Sequence, residues 1–358
     1  MLSPREAVRT IPSYHPPLAG RDGLRLDFNE NTLGCSPRVL ERLRQLGAEE
    51  LARYPERGPV EVTVADALGV AADEVLLTNG VDEAIHLLCQ TYLEPGAEAL
   101  IVVPTYSMYR IYMMAAGAQV ISVPAGKNFE FPIDDVCNRI TPGTRMIAIA
   151  NPNNPTGAVA SAEDLRRIAR SAPDTAVLVD EAYFEFYGQS ILAARGELPN
   201  LFVARTFSKA YGLAGLRIGA LVGDPEQMRA VRRVSSPYNV NAVALACLPE
   251  ALKHQAYIQQ YVGEIRESRV RLERALEGMG MQFWPSQANF VLARVGAAGL
   301  FVEQMRRRGI LVRDRSGDHG CEGCVRITLG PRPHADRLLT ALHETWEELG
   351  IAQGASRR

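Results

Sequence analysis

The sequence predicts an α/β protein, in which a large domain contains a mostly parallel sheet and a smaller α+β domain follows it. Between about residues 75 and 223, short β-branched and aliphatic runs alternate with helical patterns, as is typical of strands joined by crossover helices. After residue 240 the pattern changes to long charged helical stretches and a few apolar strands. We expect an N-terminal arm at 1–35 that packs on the small domain, a large domain at 36–240 and a small domain at 241–358.

The composition excludes several classes of protein. Of 358 residues, 47% are hydrophobic, enough for a large core, and the 39 basic and 41 acidic residues are interleaved. This charge pattern predicts no nucleic-acid partner and no anionic membrane partner. No apolar run approaches the roughly 20 residues that cross a bilayer, and the N-terminus carries charges where a signal peptide is apolar. We expect a cytoplasmic protein that acts on small molecules.

The cysteines are few and scattered, which predicts free thiols. Cys321 and Cys324 form a C-x-x-C with His319 nearby, but no second pair completes a tetrahedral zinc site. We therefore expect a loop before a strand rather than a metal or redox site, and no metal.

The strands of the large domain are predicted from their apolar runs. They are 75–78, 98–103, 119–123, 145–150, 176–180, 201–206 and 218–223. Helical patterns cover 81–93 and 161–172, and Ser161 with Asp164 three residues later favours a helix start.

The C-terminal and N-terminal parts are less regular. A charged helical stretch at 259–279 leads into the segments 283–295, 300–314 and 324–330, and a final amphipathic helix follows at 334–350. The first 35 residues are irregular and rich in Pro and Gly. We expect them to pack on the C-terminal part or to line a cleft.

A lysine in the segment R-T-F-S-K-A-Y-G-L-A-G-L-R, at 205–217, has unusual neighbours. A lysine in a loop is normally solvated. Here Thr206 and Ser208 offer hydroxyls beside Lys209, and Arg217 supplies a guanidinium suited to phosphate. The combination predicts a site for a phosphorylated aldehyde, which the lysine amine can bind before acting as a general base.

Two further segments end strands at the same edge of the predicted sheet. In V-D-E-A-Y, Asp180 follows an apolar strand; it is either a turn or N-cap residue or the carboxylate that keeps the ring nitrogen of pyridoxal phosphate protonated. Tyr183 can donate to the ring hydroxyl oxygen.

The segment N-P-N-N-P-T-G, at 151–157, indicates by itself only a tight loop. At this edge, however, Asn154 can also bond the ring oxygen.

Two segments nearer the N-terminus also follow predicted strands. T-N-G-V-D-E-A, at 78–84, runs from a strand into a helix start, so Val81 and Asp82 can present backbone N–H groups to a phosphate. Tyr106, in P-T-Y-S-M-Y, can stack on an aromatic ring or can be a core tyrosine.

In this order, the segments resemble the fold-type I pyridoxal-phosphate enzymes, and among them the class-II aminotransferases typified by histidinol-phosphate aminotransferase. The resemblance spans nearly the whole chain. It implies Lys209 as the lysine that holds the cofactor, Asp180 at the pyridine nitrogen, Asn154 and Tyr183 at the ring oxygen, and Tyr106 stacked on the ring. It also implies a homodimer with shared active sites, in which the cofactor phosphate is held by Val81, Asp82, Thr206, Ser208, Arg217 and, across the dimer, Tyr54.

The resemblance further implies a substrate site. Arg326, in C-V-R-I-T, lies on an apolar strand, where an arginine is expected to pair an anion; it matches the arginine that holds the substrate carboxylate or equivalent polar end. Arg313, in the R-D-R of 313–315, matches a phosphate-binding arginine or is a solvated surface charge. Tyr14 and the L-D-F-N-E-N segment around Asn29 and Asn31 match the N-terminal arm over the substrate.

Two departures from the family pattern concern the substrate rather than the cofactor. Thr32 stands where the family usually has proline, and L-G-P-R at 329–332 replaces a more common Gly-Thr-Arg. The first hypothesis is a transaminase of histidine biosynthesis that interconverts histidinol phosphate plus 2-oxoglutarate with imidazole-acetol phosphate plus glutamate. The alternatives are an aromatic-amino-acid aminotransferase, a threonine-phosphate decarboxylase, and an inactive sensor with the same fold.

Overall fold

A seven-stranded sheet lies at the centre of the molecule, in a computed structural model that describes residues 2–13, 20 and 22–350. The strands are β1 Leu24–Arg25, β2 Val75–Thr78, β3 Glu98–Val103, β4 Gln119–Pro124, β5 Thr144–Ala150, β6 Ala176–Asp180, β7 Leu201–Thr206, β8 Gly219–Gly223, β9 Gln282–Trp284, β10 Phe290–Arg294, β11 Ile310–Leu311, β12 Arg313–Asp314 and β13 Cys324–Thr328. The order in the central sheet is β2-β8-β7-β6-β5-β3-β4. All seven predicted strands of the large domain are present within a residue at each end.

Helices surround this sheet and form much of the C-terminal part. They are α1 Glu6–Arg9, α2 Pro37–Arg44, α3 Ala48–Ala52, α4 Gly58–Leu68, α5 Gly80–Tyr92, α6 Ser107–Ala116, α7 Ile133–Asn138, α8 Ala162–Ser171, α9 Phe184–Tyr187, α10 Pro225–Val234, α11 Ala242–Leu252, α12 Gln255–Gly278, α13 Ala298–Arg307 and α14 Arg332–Glu348. The predicted start of α8 is confirmed, because the Ser161 hydroxyl accepts from the Asp164 N–H at 3.0 Å and Asp164 reaches back to the Ser161 N–H.

The central sheet is covered on both faces, which explains its continuous apolar strands. Along β6, for example, Val177 and Val179 join one hydrophobic cluster, whereas Ala176 and Leu178 join another on the opposite face. The β3, β4, β5, β6 and β7 strands pair in parallel, and β8 runs antiparallel between β2 and β7.

The C-terminal part contains a second, antiparallel sheet in the order β12-β13-β10-β9, against which α12 and α13 pack. The N-terminal stretch contacts both parts. Leu24 and Arg25 of β1 pair with β11, whereas the Arg5 guanidinium donates to the Ala115 carbonyl at the end of α6. The domain boundaries near residues 35 and 240 remain a prediction.

Two findings bear on membranes and metals. In the described ranges, no helix combines the length and apolar character needed to cross a bilayer. Nor does any group of three or more His, Cys, Asp or Glu side chains there form a potential metal site. Cys321 and Cys324 are buried free thiols, and Cys324 begins β13.

The strand register positions the site. Ala150 of β5 lies beside Asp180 of β6, and Asp180 lies beside Ala204 of β7. Because these strands are parallel, their carboxyl ends meet at one edge, where open α/β sheets bind ligands. The 151–157 loop, Asp180 and the Lys209 loop therefore emerge side by side.

Candidate active site

Lys209 lies at the centre of this edge, three residues after the end of β7. Its Nζ donates to the Phe28 carbonyl oxygen at 3.1 Å, so the N-terminal stretch closes over it. Burial, and next the positive charge of Arg326, lower the pKa of the Lys209 amine to about 8. An amine with this pKa is partly neutral near physiological pH and can act as a nucleophile or a base.

Asp180 ends β6 with its carboxylate held by neutral donors. The Tyr109 hydroxyl donates to Oδ2 at 2.6 Å and the Ala182 N–H donates to Oδ1 at 3.0 Å. Burial raises the pKa of the Asp180 carboxyl to about 6, although both donors favour its charged form. Such a group can hold a proton on a cationic partner at neutral pH.

Tyr183 and Asn154 lie on the other side of this edge. The Tyr183 ring is buried against Phe290, and its hydroxyl oxygen accepts from Asn29 Nδ2 at 2.9 Å. Burial raises the pKa of the Tyr183 phenol, so it stays protonated. Asn154 Oδ1 accepts from Arg326 Nη1 at 2.6 Å.

A cluster of polar groups surrounds the N-terminus of α5. Arg217 Nη2 lies 3.1 Å from Asp82 Oδ2, and the Tyr106 hydroxyl donates to Asp82 Oδ1 at 2.8 Å. A Cβ at Gly80 would lie 2.6 Å from Arg217 Nη2, so only glycine permits this approach of the guanidinium. The Val81 backbone belongs to the same first turn, where helix N–H groups attract anions.

Two hydroxyls next to Lys209 complete this end of the site. Thr206 and Ser208 are both about nine-tenths buried, and Thr206 Oγ1 accepts from the Ser208 N–H at 3.1 Å. The structure thus brings together hydroxyls, a guanidinium and a helix N-terminus at the positions where the sequence predicts a phosphate site.

The second sheet carries arginines on the facing wall. Arg326 of β13 is buried and donates to Asn154 and, through Nη2, to the Asp27 carbonyl oxygen at 2.6 Å. Arg313 of β12 lies directly opposite Arg326 in the antiparallel register, with its guanidinium 5.3 Å from the centre of the Phe28 ring. Two cations at adjacent strand positions repel each other unless an anion lies between them.

The remaining predicted residues, Asn31, Tyr54 and Tyr14, do not line the centre of the site in the same way. Asn31 Nδ2 donates to the Ala210 carbonyl at 2.9 Å, and its Oδ1 accepts the Leu33 and Gly34 N–H groups, so it joins the N-terminal stretch to the Lys209 loop. Tyr54 is 78% exposed and stacks on Tyr238, with ring centroids 4.3 Å apart. Tyr14 lies outside the described residues.

Several residues that contact the site were not predicted from the sequence. Tyr109 is fully buried and bonds Asp180; its position three residues after Tyr106, on the same helical face, is the only sequence signal for it. Thr328 and the carbonyls of Asp27 and Phe28 also contact predicted residues, and no local pattern indicates these contacts.

Comparison with known proteins identifies the family to which this chain belongs. The family model described as aminotransferase class I and II matches residues 21–342. This chain belongs to the class I and II aminotransferase family. The aminotransferase is 38% identical over 330 residues to the histidinol-phosphate aminotransferase of Roseobacter denitrificans, covering 89% of this chain and 90% of that relative.

Solved structures agree with this assignment. The histidinol-phosphate aminotransferase of Sinorhizobium meliloti, in complex with pyridoxal-5′-phosphate, is 25% identical with a TM-score of 0.86 and covers 96% of this chain and 97% of its own. The L-threonine-O-3-phosphate decarboxylase of Porphyromonas gingivalis is also 25% identical, with a TM-score of 0.80 and coverage of 90% and 99%. The predicted α/β, fold-type I architecture is confirmed. Because both activities share this fold, the fold does not decide the substrate.

Proposed function

We propose that this aminotransferase uses pyridoxal phosphate on Lys209 to move an amino group between histidinol phosphate and 2-oxoglutarate. The observation that carries the substrate assignment is the register of Arg313 opposite Arg326 on the wall facing Lys209. Two arginines at paired strand positions suit a substrate with a phosphate dianion, and the same pair suits the two carboxylates of glutamate. The names of the similar proteins favour the same substrate.

The described donors fit pyridoxal phosphate group by group. Asp180 would bind the ring nitrogen of the cofactor, and Tyr183 with Asn154 would bind its ring hydroxyl oxygen. Lys209 would bind its aldehyde carbon. The phosphate would be held by the first turn of α5 and by the group formed by Thr206, Ser208 and Arg217. The close approach at Gly80 supports this fit, because a side chain there would displace Arg217. Tyr106 would lie over the ring.

When bound, pyridoxal phosphate supplies an electron-withdrawing ring that makes a hydrogen on the substrate α-carbon acidic. Lys209 Nζ accepts that proton and returns it, which its lowered pKa permits near neutral pH. Asp180 keeps a proton on the ring nitrogen through its carboxylate. Arg326 and Arg313 orient the substrate's anionic groups, so that the α-hydrogen faces Lys209.

The same proposal includes a homodimer in the cytoplasm. Tyr54 and Tyr238 form an exposed aromatic pair, and Leu40, Leu51 and Val62 are also about half exposed in the neighbouring helices. Aromatic and aliphatic side chains exposed together are typical of an interface. Tyr54 would reach the cofactor phosphate of the partner subunit.

The test of the cofactor assignment uses the small number of lysines in the chain. Lys127 and Lys253 are the other two. Borohydride reduction of the holoenzyme followed by peptide mass spectrometry is expected to find the cofactor on Lys209 alone. Lys209→Ala is expected to lower transamination on the order of 10³-fold or more, because it removes the general base, while Lys253→Ala retains it. Cofactor trapped on another lysine would refute the assignment.

The substrate assignment is tested by half-reactions. Arg313→Gln is expected to lower kcat/KM for histidinol phosphate by about 10- to 100-fold, the value of hydrogen bonds to a charged group, and to lower it less for unphosphorylated histidinol. The matched control is Arg307→Gln, since Arg307 is an exposed arginine paired with Glu303 in α13. Equal loss on both substrates would contradict the phosphate role, and release of CO₂ from threonine phosphate would indicate a decarboxylase.

A further inference from the structure

A closed set of hydrogen bonds joins the N-terminal stretch to Tyr183. The Asn29 backbone N–H donates to Thr328 Oγ1 at 3.0 Å, and the Thr328 hydroxyl lies 3.0 Å from Asn29 Oδ1. Asn29 Nδ2 lies 2.9 Å from the Tyr183 hydroxyl oxygen. The Asn29 carbonyl accepts from Asn289 Nδ2 at 3.2 Å. Both Asn29 and Thr328 are essentially inaccessible to solvent, so water does not compete for these bonds.

The direction of each bond in this set follows from the backbone N–H and from the orientation of the Asn29 side-chain amide in the structure. A backbone N–H only donates, so Thr328 Oγ1 must accept from Asn29. In the structure the Thr328 hydroxyl donates its own hydrogen to Asn29 Oδ1, 3.0 Å away. The amide of Asn29 therefore has its oxygen towards Thr328 and its NH₂ towards Tyr183. Consequently the Tyr183 oxygen accepts a hydrogen bond, and its own hydrogen points away from Asn29.

Asn154 is oriented by the same kind of reasoning. A guanidinium only donates, so the atom that Arg326 Nη1 contacts at 2.6 Å must be the amide oxygen of Asn154. Its NH₂ group is then directed away from Arg326. Two separate contacts thus leave Tyr183 and Asn154 as donors at the same edge of the sheet.

We infer that Asn29 and Thr328 are positioning residues that fix Tyr183 as a hydrogen-bond donor, so that the site selects a cofactor oxygen that is a pure acceptor. The inference rests on the proposed function, in which this oxygen is the ring hydroxyl oxygen of pyridoxal phosphate in its deprotonated form. The backbone supports the role, because Asn29 has a φ of 55°, a left-handed conformation that Asn and Asp tolerate better than other side chains.

The experiment measures the affinity of the apoenzyme for two probes. They are pyridoxal phosphate and its analogue that lacks the ring hydroxyl. Asn29→Asp keeps the shape and the backbone conformation but replaces the NH₂ donor with a carboxylate oxygen, towards which the Tyr183 hydrogen would turn. We expect the ratio of the two affinities to fall by about 10- to 100-fold, as for a lost hydrogen bond to a charged group. Thr328→Val is expected to lower the ratio, whereas Thr328→Ser, which keeps the hydroxyl, restores it.

Controls separate this effect from general damage. Loss of fold would weaken both probes together and leave their ratio unchanged, so the ratio reports on the ring oxygen. In a Tyr183→Phe background, Asn29→Asp should no longer change the ratio.

The possible failures are distinguishable. If the wild-type chain binds neither probe, the proposed function is wrong. If the wild-type chain prefers pyridoxal phosphate but Asn29→Asp keeps that preference, the inference about Asn29 and Thr328 is overturned. A wild-type chain without any preference between the probes also overturns it.

Discussion

The two acids at the end of β6 are neighbours in sequence but lie in opposite environments. Asp180 points to the face that contains Tyr109 and accepts hydrogen bonds from neutral groups. Glu181 points to the other face, where it forms a buried ion pair with Arg205 at 2.7 Å. Successive side chains of a strand alternate between faces. The adjacent residues Asp180 and Glu181 therefore serve different purposes, since Asp180 faces the candidate site and Glu181 stabilises the fold.

The two sides differ in how fully the charge is compensated. Arg205 also donates to Ser190 and lies over the Phe184 ring at 3.5 Å, while the Ser190 hydroxyl donates to Glu181. On the Asp180 face, burial dominates, and the pKa rises to about 6. A carboxylate paired with a guanidinium has its charge compensated within the protein, whereas one held by neutral donors can still respond to a cationic ligand.

Breaking the ion pair gives the largest expected effect. Glu181→Gln leaves the buried Arg205 charge without compensation, which should cost about 3–5 kcal/mol of the free energy of unfolding. Denaturant unfolding of the apoenzyme measures this loss. In the matched control, Glu303→Gln removes an exposed pair with Arg307 and should cost less than about 1 kcal/mol.

The double variant Glu181→Gln, Arg205→Met sharpens this prediction. It removes both charges, so much of the lost stability should return. If Glu181→Gln is as stable as the wild-type chain, the ion pair with Arg205 does not stabilise the fold, which would contradict the proposed difference between the two faces.

The next prediction concerns the Asp180 face. Tyr109→Phe removes a donor that favours the charged carboxylate, so the pKa of Asp180 should rise further above about 6. A hydrogen bond to a charged group corresponds to about one to two pH units. We expect the acid limb of the half-reaction rate to move to higher pH by this amount.

The control for Tyr109 is another tyrosine of α6. Tyr112 is half-buried and stacks on His86 with ring centroids 5.2 Å apart, so Tyr112→Phe should leave the acid limb in place. An unmoved limb in Tyr109→Phe would mean that Tyr109 is only a core residue.

The smallest expected effect comes from Glu185, beside the ion pair. Burial raises the pKa of its carboxyl to about 7, and its Oε2 has no hydrogen-bond partner among the described residues. The folded protein thus holds this proton more tightly than the unfolded chain, so its contribution to stability is present below pH 4.5 and is lost as the pH rises through about 7.

Glu185→Gln should remove that dependence. We expect similar melting temperatures for variant and wild type at pH 5, and a melting temperature higher by about 2–4 °C for the variant at pH 8. Glu267→Gln, at an exposed position in α12, should change neither. An equal shift at both pH values would show that Glu185 does not titrate in this range.

The positions of the strands at this edge of the sheet follow from the sequence because each apolar run is local. Runs such as 176–180 have both faces buried, and parallel strands end at one edge. Lys209, Asp180 and Asn154 could therefore be placed near one another from the positions of their strands alone. The motifs around them led to the family that the comparison with known proteins confirms.

The donor directions and the charge pairing depend on contacts between distant segments. Asn29 and Thr328 are 299 residues apart, and Tyr109 and Asp180 are 71 apart. Arg313 faces Arg326 only through the antiparallel register of β12 and β13. From the sequence came the strand ends at which Lys209, Asp180 and Asn154 are predicted to bind the cofactor, since each follows a local apolar run. The hydrogen-bond partners and charges around these residues come from the folded chain, because hydrogen bonds and burial depend on distant neighbours that no local pattern specifies.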